Sequence, residues 1–79
     1  MIINLQDFIK KIAEQFDETD ANEFKADTKF KKLIDWSSVC ALSIIAAIDD
    51  EFGVIINGDD IRKSETIEDL FNIVKENKS

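Results

Sequence analysis

Histidine and proline are both absent from this chain, and it has only two glycines and one cysteine. Without an imidazole and with so little glycine, it has few means for chemistry of its own. One cysteine excludes an intrachain disulfide, and no Cys/His cluster is present to hold structural zinc. With no proline, helices are not interrupted by that route. Long apolar runs are missing too. The longest, Val39 to Ile48, is ten residues, is broken by Ser43, and is too short to span a bilayer. No secretory signal is visible, because polar residues follow Met1, Ile2 and Ile3 at once. A cytoplasmic protein is expected, and a lone cysteine agrees with a reducing compartment. A basic stripe is also lacking, which disfavours nucleic acid and an anionic membrane as partners.

Seventy-nine residues predict one small domain over 1–79. A hydrophobic content of 44% suffices for a core despite 34% charged residues. The net charge of −7 favours partners with basic patches. That charge is uneven. Residues 1–48 carry 8 acids and 6 bases, whereas residues 49–69 carry 8 acids and 2 bases. An electrostatic docking surface is therefore expected in the second half.

The apolar spacing predicts an all-α fold. Leu5, Phe8, Ile9, Ile12, Ala13 and Phe16 form one face of a first helix, capped by Asn4 and fading near Asp17 to Thr19. Residues 18–36 read as a long connection, pinned by Phe24, Phe30 and Leu33, with a helical turn near Lys29 to Leu33. Its lysines at 25, 29, 31 and 32 read as a solvated face. A second helix is predicted over Ser38 to Phe52, capped by Ser37 and stopped by Gly53. It is apolar on nearly all sides, which predicts a central position. Val54-Ile55-Ile56 reads as a packed loop and Asn57-Gly58 as a turn. One short helical turn follows over Asp59 to Arg62. The last helix begins after Thr66, with Asp69 completing a variant capping box. Ile67, Leu70, Phe71 and Val74 are its buried face, with fraying expected from Glu76 to Ser79.

The chain resembles the acyl carrier protein family along nearly its whole length. That family's second helix opens with Asp-Ser-Leu, and the serine is esterified by 4′-phosphopantetheine. The matching stretch here is Trp36-Ser37-Ser38-Val39, followed by Leu42, Ile45 and Ile48. Asp50-Glu51-Phe52-Gly53-Val54 resembles the family's Glu-Glu-Phe-Gly ending. Gly58-Asp59-Asp60-Ile61 and Thr66-Ile67-Glu68-Asp69-Leu70 fit its later helices. The resemblance implies a four-helix bundle with three main helices, one short helix and a long first loop. The family's serine lies fourteen residues before the phenylalanine, which selects Ser38 over Ser37. Val39 supplies the apolar residue that follows it, expected to turn inward as an anchor. By spacing alone, the two serines read as a helix cap. An anion at Ser38 suits the unpaired N–H groups of a helix start.

The resemblance further implies a carrier that is not an enzyme and holds acyl groups as thioesters on the arm. A phosphopantetheinyl transferase would load it, and acyl-transfer or ketosynthase-type enzymes with basic patches would dock on Val39, Asp49, Asp50, Glu51, Asp59 and Asp60. An acyl chain would shelter among Ile45, Ile48, Ile56, Ile61 and Leu70, for which an ordinary filled core is the plainer reading. The family usually has acids early in its second helix as well as late. Here Ser37, Cys40 and Ser43 are neutral, and Arg62 and Lys63 stand where acids are often found. The implied pathway is fatty acid, polyketide or a related specialised one, a dedicated or secondary pathway being expected from these departures, and a peptidyl or amino-acyl carrier is the alternative. An unmodified acidic interaction domain is the third reading. The acids do not fit EF-hand spacing and no metal site is assigned. Cys40 lacks a histidine partner and reads as a semi-exposed thiol able to dimerise on oxidation. Trp36 reads as packing beside the helix start. The expected assembly is a monomer.

Overall fold

Asn4 starts the first helix, accepting from the backbone N–H of Gln6 at 2.8 Å and of Asp7 at 3.4 Å. The computed structural model describes residues 3–78. Helix α1 is Leu5–Ala13, α2 Ser38–Phe52, α3 Gly58–Lys63 and α4 Ile67–Lys78. The described residues form a small all-helical bundle with three longer helices, a short one and a long first connection, as predicted.

Helix α1 is the link of the bundle. Phe8, fully buried, sets its ring 5.7 Å from Phe52 of α2 and 5.4 Å from Phe71 of α4. Phe8, Ile9, Ile12 and Ala13 are all buried, so the predicted face is the observed one. The helix ends earlier than its periodicity suggested. Beyond Ala13 the bonds tighten to i→i+3, Gln15 N–H donating to Ile12 and Phe16 N–H to Ala13. This turn carries Phe16 onto Phe24 of the connection, at 5.1 Å between rings.

The connection is tied at several points. A 3-10 turn at Phe30–Lys32 lies where a helical turn was expected, and a second at Ala21–Glu23 was not foreseen. Phe24 and Phe30 are buried and Leu33 packs against the core. The Asp35 carboxylate accepts from Glu18 N–H at 2.6 Å and from the N–H and hydroxyl of Thr19 at 3.2 and 3.1 Å. The first N–H groups of a helix have no partner of their own. Those of Ile67 and Glu68 in α4 donate to the connection, at Thr28 O and Ala26 O.

Helix α2 departs from prediction. It buries one stripe, Cys40, Ile44, Ile48 and Phe52, rather than all sides. Leu42 on the opposite face is 65% exposed. A chain of this size has too few elements to cover a helix all round. Gly53, at φ 67°, stops the helix in the left-handed conformation glycine allows. Val54 and Ile56 are buried in the following loop, while Ile55 between them points out. Helix α3 runs a residue beyond prediction at each end. Its capping box joins Asn57 and Asp60, each side chain accepting from the other's N–H at 3.0 Å. Ser64, fully buried, donates to Asp60 O at 2.9 Å.

Helix α4 has the predicted cap: Thr66 Oγ1 accepts from Asp69 N–H at 3.1 Å. The N–H groups of Thr66 and Glu65 in turn hold the Asp69 carboxyl below its ordinary pKa. Ile67, Leu70, Phe71 and Val74 are buried as expected. The helix continues through Lys78 instead of fraying from Glu76, and Ser79 lies outside the described residues.

Candidate functional site

The two serines at the start of α2 divide their roles. Ser37 is extended, and its Oγ accepts from the N–H of Cys40 at 3.2 Å, closing the cap. Ser38 is the first helical residue. It is exposed, and its Oγ makes no hydrogen bond among the described residues. One hydroxyl is thus occupied and the other presented to solvent beside the unpaired N–H groups of the first turn.

Two surface clefts flank this point with opposite charge. One, of about 320 Å³, has both Ser37 and Ser38 on its wall together with Lys31, Trp36, Ala41, Ile61 and Arg62. It carries two bases and no acid. The other, of about 330 Å³, lies beside Ser37, Val39 and Cys40 and carries Asp17, Glu18 and Asp35 with no base. Lys31 reaches across from the connection and donates to Arg62 O, at the end of α3, at 2.8 Å. Arg62 is 2.7 Å from Asp59, a solvent-exposed pair that leaves donors of its guanidinium unspent. Trp36 is half-buried, edge-on to Phe30 at 5.5 Å, so it packs as expected and also walls the basic cleft. The lysine cluster had shown no sign of which lysine would face Ser38, because that depends on how the connection folds back.

Val39 does not turn inward. It is 72% exposed, since the buried stripe begins at Cys40 and the preceding residue falls on the outer face. That face runs on through exposed Leu42 and Ala46 to Asp49 and Asp50. These two acids are exposed and form no ion pair among the described residues. Glu51 lies 3.5 Å from Lys11, which also holds Glu14 at 3.1 Å. The Glu14 hydrogen bond raises the Lys11 pKa against the cost of desolvation, and Glu51 adds to the rise. Asp59 is paired with Arg62, and Asp60 is half-buried in its capping box. Of the acids named from the sequence, Asp49 and Asp50 therefore remain the open ones.

Cys40 is not semi-exposed. It is 6% exposed, with Sγ donating to Gln15 O at 3.7 Å. Burial pushes its thiol pKa up, and the carboxylates of Asp35 and Asp17 add to this. Such a thiol is poorly placed for oxidation between molecules. Ile48, Ile56, Ile61 and Leu70 are buried in one core cluster, with Ile45 half-buried against it. Ile61 alone among these five also reaches the wall of the basic cleft. No family model matches this chain, and no solved structure matches it significantly.

Proposed function

We propose that this protein is a carrier of the acyl carrier type, with 4′-phosphopantetheine esterified to Ser38 Oγ. The observation that carries the reading is the division of the serines, Ser37 spent on the cap and Ser38 exposed without a hydrogen bond. The surroundings fit the group. A phosphodiester at Ser38 would lie at a helix start and beside a cleft bearing Lys31 and Arg62.

In loading, Ser38 Oγ forms an ester bond to the pantetheine-side phosphorus of coenzyme A. The pyrophosphate P–O bond breaks, 3′,5′-ADP leaves, and the hydroxyl proton passes to a base of the transferase. The bound arm supplies a thiol that carries acyl groups as thioesters. This chain's own residues present the serine and dock the partner. The outer face of α2, apolar at Val39 and Leu42 and acidic at Asp49 and Asp50, suits an enzyme with an apolar seat and a basic rim. The protein would act as a cytoplasmic monomer and perform no catalysis itself. The neutral start of that face favours a second reading as an amino-acyl carrier. An adenylating enzyme that charges the loaded protein with an amino acid would select it.

The test is intact mass after incubation with coenzyme A and a broad phosphopantetheinyl transferase. One added phosphopantetheine is expected in wild type and in Ser37→Ala, and none in Ser38→Ala. No adduct in wild type would leave an unmodified acidic interaction domain. Loss in Ser37→Ala alone would move the site to Ser37.

A further inference from the structure

Resting on the reading that Ser38 bears the group, we infer that Lys31 and Arg62 hold its phosphodiester and direct the arm into the cleft beside Trp36. The argument begins with the asymmetry around the helix start. An anion on Ser38 Oγ meets two sides of opposite sign. The side walled by Asp17, Glu18 and Asp35 repels it. The side bearing Lys31 and Arg62 attracts it, and Ser38 is itself on that wall.

In a chain of net charge −7, a cleft with bases and no acid is a local exception. Its cations are also partly positioned. Lys31 is half-buried and anchored by one donor on Arg62 O, which leaves two N–H donors for an anion. Arg62 is held near the cleft by its contact with Asp59. Of the rest of the wall, Trp36, Ala41 and Ile61 offer apolar surface to the chain that follows the phosphate, beside Ser37 and Gly58. Phosphate capture by two cations at a helix start is charge-assisted on three counts. The arm is then not a free tether. Its first part lies against the protein until a partner's own cations compete for the phosphate.

Trp36 is the only tryptophan, so it reports this cleft alone. Wild type, Lys31→Gln, Arg62→Gln, the double variant and Lys31→Arg are loaded from coenzyme A, and mass confirms each adduct. Acrylamide quenching of Trp36 is then compared between unloaded and loaded protein, together with the ³¹P resonance of the phosphodiester. Loading of wild type is expected to shield Trp36. The shielding should weaken in each glutamine variant, vanish in the double variant, persist in Lys31→Arg and diminish with salt. The ³¹P resonance should shift between wild type and double variant. Arg62→Gln leaves the bond from Lys31 to the backbone carbonyl intact, so a loss there is not a loss of the α3 contact. Full loading of wild type with Trp36 unshielded, and one ³¹P resonance common to all variants, would overturn the inference alone. Absence of any adduct on wild type would remove the carrier reading and this inference with it.

Discussion

Adjacent serines of the same chemistry are separated here by one hydrogen bond, and Asp35, two residues earlier, shows the same principle. Its carboxylate ties Glu18 and Thr19 to the segment entering α2. Desolvation opposes its ionised form, but the bonds from Glu18 N–H and from the hydroxyl and N–H of Thr19 prevail. They hold its pKa below the ordinary 3.8. A carboxyl whose folded pKa is depressed contributes stability that is present above the unfolded value. That contribution is lost as pH falls through the folded one. The Glu18 and Thr19 amide resonances should therefore keep their native shifts down to about pH 4 and move only below it. In Asp35→Asn they should be displaced at neutral pH and show no such acid transition. Wild-type amides that move through an ordinary carboxylate midpoint would contradict this.

At the scale of elements, termini are specified more sharply than faces. Each α-helix start has a side-chain cap, through Asn4, Ser37, Asn57 or Thr66. The end of α2 depends on Gly53 in the left-handed conformation, its N–H donating to Asp49 O at 2.9 Å. Gly53→Ala should cost about 1–2 kcal/mol in chemical denaturation, with the m-value unchanged. Faces depend on neighbours. The α2 sequence between Val39 and Ile48 is apolar nearly throughout, yet only the stripe of Cys40, Ile44, Ile48 and Phe52 is buried. Periodicity cannot choose a buried side where both sides are apolar. The inward placement expected of Val39 and the semi-exposed thiol expected of Cys40 were each reversed for that reason. In α1 and α4, where polar residues mark the outer side, the faces were legible.

For the whole molecule, the uneven charge becomes a surface property. Glu51, Asp59 and Asp60 are engaged within the chain, so that of the acids proposed for docking Asp49 and Asp50 are the open ones, at the far end of the α2 face. Exposed ion pairs contribute up to about 1 kcal/mol each. Asp49→Lys with Asp50→Lys should lower kcat/KM for phosphopantetheinyl transfer by about tenfold at low salt. The difference should shrink as ionic strength rises. Thermal stability should hold or rise slightly, because fewer like charges repel. An unchanged kcat/KM at low salt would place the electrostatic docking elsewhere.

The class of fold was legible because it rests on local rules: apolar spacing for α1 and α4, caps at Asn4, Ser37 and Thr66, and glycine after Phe52. Our proposal of Ser38 over Ser37 rests on the register of the family resemblance, and the capping bond of Ser37 supports it. What surrounds Ser38 was not legible. Lys31 shares its cleft only because the connection folds back and reaches α3, and the acids of the opposite cleft gather from the segment after α1 and from Asp35. Short-range patterns decide where the helices begin and, through Gly53, where α2 ends. The chain's return across long sequence separations decides which charges meet at the serine, and no local spacing encodes that meeting.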